Sequence, residues 1–384
     1  MVVAPLAVFH DTRMSTTSEL LRTPLYQWHT RHNGRMVDFA GWSMPVQYTS
    51  IIEEHTATRT AVGLFDVSHM GRFRFADPGA GRFLETLTTR RVWPMETGKI
   101  RYSLMTREDG GVLDDVLVYH LEDLAGQPFC FMVVNASNRG KIHDWLQQHE
   151  NLEQFGFEDQ TRQTAMIAIQ GPRALEAVES CCARSPGSLK YYHGMMSQVC
   201  GVPAIISRTG YTGEDGCELT VPAESAEEIW STVLEQATPS GGRAVGLAAR
   251  DTLRLEAAMP LYGHELDEDR NAADADIGFA INLKDREFPG RDAIAAARQN
   301  PDTPRRVGLL LEGKRPAREH SQVFQGQRPV GQVTSGTFSP TLQKPIAMAY
   351  VESACGEPGS RLEIDVRGKR LAAIVSPLPF YQRS

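Results

Sequence analysis

Two stretches of this 384-residue chain place carboxylates where a plain chain reversal has no need of them. The first is Gly210-Tyr211-Thr212-Gly213-Glu214-Asp215-Gly216-Cys217-Glu218, with glycines, an aromatic ring and three acids between apolar runs. The second is Gly110-Gly111-Val112-Leu113-Asp114-Asp115-Val116-Leu117-Val118-Tyr119, two adjacent acids inside a strand-like segment. A carboxylate can accept two parallel N–H bonds from one planar group, and a carboxylate among rings can stabilise a nearby cation. With Leu247-Ala248-Ala249-Arg250-Asp251 downstream, the three suggest a pocket for a polar, nitrogen-rich small molecule.

The elements that must position these groups follow from period and punctuation. Residues 101–106, a turn at Asp109-Gly110 or Gly110-Gly111, and residues 112–119 read as a hairpin. Alternation puts Asp115, Leu117 and Tyr119 on one face and Asp114, Val116 and Val118 on the other, and pairing across either turn adds Tyr102 to the Asp115 face. Burying an acid in such an apolar run is costly without a partner, so the alternative is that both aspartates lie at the solvated start of an edge strand. Glu218 falls within a strand at 217–221, facing either a ligand or a cross-strand cation, while Glu214 and Asp215 belong at a solvated turn tip. Arg250 and Arg254 lie four apart on a helix, a spacing that fits an exposed salt-bridged face as well as it fits a fork offered to a ligand.

Elsewhere, Pro24 to Gly34 reads as a short helix, and Ser50-Ile51-Ile52-Glu53 as a capping box opening a helix that stops at Gly63. Residues 64–75 read as strand, 170–183 as helix, and Ser225-Ala226-Glu227-Glu228 as a second capping box. Strands and helices alternate irregularly to about residue 290, an α+β pattern. Beyond Pro301, short apolar runs at 307–311, 346–351, 362–366 and 371–375, separated by Gly, Pro and Ser, indicate a small antiparallel barrel. The division expected is a tail at 1–22, with Met14 an alternative start to Met1, a main region at 23–290, a linker at 293–303 and a barrel domain at 304–381.

A net charge of −7 argues against nucleic acid as the ligand, and no apolar run reaches the ~20 residues of a membrane helix. Cys130, Cys181, Cys182, Cys200, Cys217 and Cys355 lack C-x-x-C spacing, so no metal site is expected, and the adjacent Cys181 and Cys182 read as buried thiols on a helix. His69 in Asp66-Val67-Ser68-His69-Met70 invites a hydrolytic triad, but no Gly-x-Ser-x-Gly elbow accompanies it. The N-terminus does not resemble a transit peptide, and a bacterial cytoplasmic setting is expected.

Taken in order, these motifs resemble the aminomethyltransferases of the glycine cleavage system, the T-protein family. The resemblance runs from Arg22-Thr23-Pro24-Leu25-Tyr26 to Ser376-Pro377-Leu378-Pro379-Phe380 and includes Phe39-Ala40-Gly41-Trp42, Asp66-Val67-Ser68-His69-Met70 and Val333-Thr334-Ser335-Gly336-Thr337-Phe338. It implies a three-domain cloverleaf, with two interleaved α+β subdomains and the barrel around a central folate channel. It implies Asp115 as the catalytic acid, Glu218 and Arg250 as folate anchors, and Met70, Tyr102, Tyr119, Asn135 and Tyr211 as further folate contacts. The co-substrate implied is tetrahydrofolate, and the carbon donor an aminomethyl group on the dihydrolipoyl arm of a partner, the H-protein. The products are ammonia and 5,10-methylenetetrahydrofolate. Relatives carry a further Tyr or Arg near the C-terminus that reaches the ligand, for which Tyr381 and Arg383 are the candidates. Other readings within the superfamily are a folate-dependent demethylase and a folate-binding relative without transferase activity. Against these stand the lack of a flavin domain and of the latter's cysteine-containing loop motif.

Overall fold

A computed structural model describes residues 19–383. The choice between Met1 and Met14 therefore lies outside the described residues. Three sheets and a closed barrel make up the chain. In the six-stranded sheet the order is Gly194–Val199, Val202–Ser207, Gly216–Pro222, Thr164–Gln170, Gly63–Asp66, Arg243–Ala244. The five-stranded sheet runs Ile100–Thr106, Val112–Glu122, Pro128–Val134, Gly71–Phe75, Phe157–Asp159. The chain leaves the first sheet after Asp66, completes the second between Gly71 and Asp159, and returns at Thr164, which is the interleaving expected. The run at 64–75 is therefore two strands in different sheets, not one.

The two sheets pack against each other. Phe65, Met166, Ala168 and Ile205 from the first meet Tyr119, Leu121, Phe131 and Val133 from the second, with Ala249 and Leu253 of helix Leu247–Glu256 closing the layer. Behind the five-stranded sheet a separate core holds Phe73, Met105, Val116, Val118 and Met132. The period-2 alternation of strand Val112–Glu122 thus serves two cores, one on each face. Strands Arg305–Leu311, Gln322–Gln325, Arg328–Ser339, Lys344–Val351, Arg361–Val366 and Lys369–Ser376 close the antiparallel barrel, the first pairing with the last.

Several local expectations need correction. Leu21–Arg22, set aside as tail, is a strand parallel to Trp42–Ser43. The first helix spans only Tyr26–Arg31, and Asn33, not Gly34, takes the left-handed conformation that ends it (φ 59°). Ser50 caps its helix through the Glu53 amide, but that helix stops at Thr60. Ser225 has helical dihedrals and caps nothing, because a 3-10 turn at Ala223–Ser225 already leads into the helix. Helix Ala174–Glu179 ends before Cys181 and Cys182, which are half-buried after it. The 293–303 segment is mostly helix, Arg291–Gln299, whose Ile294 is buried beside Val112 and Phe288. Alanines flanked by polar residues disguised that apolar anchor as a linker. Among the described residues, no helix is long and apolar enough to cross a membrane, and no group of three or more acidic, His or Cys side chains is placed to hold a metal ion.

Candidate active site

The hairpin sets the site. Arg107 accepts from the Gly110 amide, and Gly110 takes φ +86°, a conformation that side chains with a Cβ rarely adopt. From there Leu104 pairs with Asp115, Tyr102 with Leu117 and Ile100 with Tyr119. Tyr102, Asp115 and Tyr119 accordingly share the face turned towards the six-stranded sheet. Strand Val112–Glu122 is internal, paired on both sides, so the edge-strand alternative fails.

The two aspartates part company there. Asp114 points to the outer core and is fully buried. It accepts from the Asn138 amide at 2.6 Å, the Asn135 side chain at 2.8 Å and the Asn135 backbone N–H at 3.0 Å. Asp115 is half-buried, takes the Tyr102 hydroxyl at 3.1 Å and the Asn135 Nδ2 at 2.7 Å. One amide therefore ties both carboxylates. Burial lifts the Asp115 carboxyl above the ordinary carboxylate range, against the pull of Asn135 and Tyr102. Burial and the neighbouring Asp115 charge lift Asp114 as well.

Glu218 faces this carboxylate from the other sheet. It pairs with Ala168 and Ser207, so it lies on the inner face that carries Met166 and Ile205. It is 7% exposed and its Oε2 accepts from the Thr209 hydroxyl. Burial raises its carboxyl, while Thr209 and the Arg250 charge pull it down.

The two arginines of helix Leu247–Glu256 separate cleanly. Arg254 is 2% exposed and held by Asp251 at 2.8 Å, Glu265 at 2.9 Å and Ser335 at 2.8 Å, so it is structural. Arg250 has no ion pair and no side-chain hydrogen bond among the described residues, and its guanidinium lies 4.6 Å over the Tyr211 ring. Tyr211 in turn donates from its hydroxyl to the Pro260 carbonyl. Its loop is pinned from behind by Arg59, which donates to the Thr212 carbonyl at 2.7 Å and pairs with Glu214 at 3.0 Å and Glu256 at 2.8 Å. Glu214, expected at a solvated tip, is thus buried, and Asp215 pairs with Arg208.

The other residues singled out in the sequence lie as follows. Met70 is half-buried at the join of the two sheets, packed on the layer that holds Tyr119. His69 is buried and neutral, its basicity lowered to about 3 by burial and the Arg250 charge. It forms no triad, since Asp66 Oδ2 bonds His29 and Thr23 instead and Ser68 bonds the Met166 carbonyl. Tyr381 and Arg383 engage the glycine-rich loop from outside. Arg59 stacks 3.9 Å over the Tyr381 ring, and Arg383 reaches Asp215 at 3.2 Å.

Tyr192 escaped the sequence reading. It carries φ +57°, unusual for a bulky residue, and its backbone bonds both Ile100 and Arg208, bridging the two sheets. Burial raises its hydroxyl, Arg90 offsets this, and the Glu218 and Asp115 charges raise it further. The signal available was only the pair Tyr191-Tyr192 ahead of a strand.

The enclosure thus has half-buried rings from Tyr102, Tyr192 and Tyr211, buried Tyr119, and the thioether of Met70. One Glu218 oxygen and the whole Arg250 fork are left without protein partners among the described residues. A flat heterocycle with adjacent N–H donors and a carbonyl fits that set: the acid takes the donors and the guanidinium the carbonyl.

Comparisons with known proteins give the family of the chain. The family model of the GCVT N-terminal domain matches residues 25–285, and that of the glycine cleavage T-protein C-terminal barrel domain matches 305–382. The chain is 44% identical over 364 residues to an aminomethyltransferase of Chloroherpeton thalassium, covering 94% of this chain and 99% of that one. It is 41% identical over 370 residues to one of Symbiobacterium thermophilum, covering 94% and 98%. The crystal structure of the glycine cleavage system aminomethyltransferase T from Bartonella henselae superposes with a TM-score of 0.86 at 31% identity, covering 94% of this chain and 98% of that one. With its fold, its barrel and 94% of its length matched, the chain belongs to the glycine cleavage T-protein family of aminomethyltransferases.

Proposed function

We propose that the pocket between the two sheets holds tetrahydrofolate, and that Asp115 acts there on a one-carbon unit delivered by the lipoyl arm of the H-protein. The observation that carries this reading is the opposition of a tethered carboxylate, Asp115, to an unpaired acid–guanidinium set, Glu218 and Arg250, across a tyrosine-walled space. The setting we infer is the cytoplasm of a bacterium.

When bound, the folate supplies the two nitrogens that end up bridged by the methylene, the carbon's bonds to ammonia and to the lipoyl sulfur breaking as two C–N bonds form. Asp115 faces the positive charge that develops on this carbon. In a space lined by rings, with little water, a fixed carboxylate stabilises that charge more than solvent does. Tyr102 and Asn135 keep the carboxylate aimed and carry no charge of their own to cancel it. Glu218 and Arg250 orient the heterocycle, with Met70, Tyr119 and Tyr211 as its walls. Because burial raises the basicity of the ionised Asp115 carboxylate, it can accept the proton that an attacking nitrogen gives up and pass it on to the departing amine.

The direct test is to supply aminomethylated H-protein and tetrahydrofolate and follow ammonia and 5,10-methylenetetrahydrofolate. Equal amounts of both are expected; absence of the folate product would sink the reading. Glu218→Ala should raise the KM for tetrahydrofolate by roughly 10- to 100-fold, the loss of one charged hydrogen-bond set at ~1.5–3 kcal/mol, with kcat at saturation little changed. An equal fall in kcat with an unchanged KM would move Glu218 from anchoring to chemistry.

The pH dependence carries a sign. The active form of Asp115 is ionised, and burial has raised its carboxyl, so kcat/KM should fall as pH drops through a value above the usual carboxylate range. Asn135→Ala removes a donor that favours the ionised form. The acid limb should therefore move to still higher pH. An acid limb that stays put would show that Asn135 does not tune this carboxylate.

A further inference from the structure

The accessible sulfur of this chain is gathered in one place. Cys130, Cys217 and Cys355 are buried, whereas Cys181, Cys182 and Cys200 are half-buried. Those three meet where the stretch after helix Ala174–Glu179 touches the tip of the hairpin formed by Gly194–Val199 and Val202–Ser207. Cys182 forms an antiparallel bridge with Val199, and that register sets Cys181 opposite Cys200. The Cys200 amide donates to the Cys181 carbonyl at 2.7 Å, and the Ala183 amide to the Gln198 carbonyl at 2.9 Å. Directly opposed residues of this kind have Cα atoms about 5.5 Å apart, inside the span of roughly 4.4–6.8 Å that a disulfide bridges. The adjacent Cys181 and Cys182 fall short of it, since consecutive Cα atoms lie only about 3.8 Å apart.

The hairpin turn supplies the second, independent observation. Val199 pairs with Val202, which leaves Cys200 and Gly201 as a two-residue turn. Both take positive φ, +48° and +81°, the tight turn whose first place Asn, Asp or Gly normally fills. A cysteine there is held in a strained backbone conformation, opposite a second thiol. Burial, the neighbouring Cys181 thiol and the Glu228 charge all keep the proton on Cys200. Burial and the charges around it push Cys182 up to about 12. Of the three, Cys181 is therefore left as the attacking thiol and Cys200 as the one that resolves its product.

We propose that Cys181 and Cys200 form a reversible thiol–disulfide site, oxidised by a hydroperoxide, that ties the edge hairpin of the six-stranded sheet to the segment leaving helix Ala174–Glu179. The Cys181 sulfur attacks one peroxide oxygen, the O–O bond breaks, and the other oxygen leaves as water with the thiol proton. Cys181 is then a sulfenic acid. The Cys200 sulfur attacks that sulfur, the S–O bond breaks, and the hydroxide departs with the Cys200 proton as a second water. Two thiols lose two electrons and one peroxide gains them. Strand Gly194–Val199 is the outermost of its sheet, so the new bond fastens an edge otherwise free to open.

The test exposes the full chain to a small excess of hydrogen peroxide, blocks the remaining thiols with N-ethylmaleimide and digests without reductant. Tandem mass spectrometry should find Cys181 joined to Cys200, a link that dithiothreitol removes. Thiols titrated in denaturant should fall from the six of the sequence by two. Cys182→Ser should form the same link at a rate within about twofold of wild type. Cys200→Ser should instead leave Cys181 as a sulfenic acid that dimedone traps, and Cys181→Ser should leave Cys200 unmodified. Closing a loop of about 20 residues should raise the Tm of the oxidised protein by roughly 3–5 °C. A link through Cys182, a sulfinic acid at Cys181 in place of the link, or six unchanged thiols would overturn the site. An unchanged Tm in the linked protein would overturn its role in fastening the hairpin.

Discussion

Asp115→Asn is expected to lower kcat by roughly 100- to 1,000-fold, the scale seen when one preorganised charge-stabilising group is removed from an active site. The substitution keeps the shape, so Tyr102 and Asn135 retain a partner and the fold should be undisturbed. The KM for tetrahydrofolate should change by no more than a few-fold, because Glu218 and Arg250 do the anchoring. Steady-state kinetics with aminomethylated H-protein separate the two. A fall in kcat together with kcat/KM marks an interaction made in the transition state. Near wild-type turnover would remove Asp115 from the chemistry. The neighbouring acid provides a control. Asp114 lies on the opposite face, and its carboxylate's hydrogen-bond partners among the described residues are Asn135 and Asn138, so Asp114→Asn should act on stability and on the placement of Asn135, with a smaller effect on kcat.

The largest expected loss of stability is at Arg254. Its guanidinium binds Asp251, Glu265 and Ser335 at once, while Glu265 also accepts from Thr334 of the same barrel strand and from the Leu261 amide. This cluster fastens helix Leu247–Glu256 to the barrel. Arg254→Met keeps much of the volume but strands fully buried Glu265 without its cation. Breaking a buried pair by removing one partner costs about 3–5 kcal/mol, a large part of a typical domain's net stability. Urea unfolding should show that loss in the transition that includes the barrel. Because Arg250 stands one turn before Arg254 on the same helix, affinity for tetrahydrofolate should fall too. An Arg254→Met protein as stable as wild type would mean that the cluster is not what joins these parts.

The two arginines also show where sequence reasoning stops. They are four apart on one helix, and both project from it in similar directions. Nothing local separates them. What does is the distant Glu265 and Ser335, brought to Arg254 by the fold. The hairpin was legible for the opposite reason: a two-fold period and a glycine turn are local, and together they place Tyr102, Asp115 and Tyr119 on one face. Even there the alternation does not say that the strand is internal, nor that Asn135 would return from the next strand to hold both aspartates. Glu214 shows a related limit. It lies in a glycine-rich turn, where solvation is the default, yet Arg59, some 150 residues away, draws it inside. Tyr192 owes its place to a left-handed backbone fixed by hydrogen bonds to both sheets, which no residue pattern announces. The barrel followed directly from its short, regularly punctuated strands. Helix Arg291–Gln299 did not, because its apolar face is a single isoleucine among alanines, and so short a segment leading into Pro301 passes for a linker.

The central claim is a division of labour within one folate pocket, and calorimetric titration of tetrahydrofolate into wild type, Asp115→Asn and Glu218→Ala tests it most directly. Binding of similar affinity is predicted for wild type and Asp115→Asn, with binding at least tenfold weaker in Glu218→Ala. No binding by the wild type, or equal loss in both variants, would contradict the account.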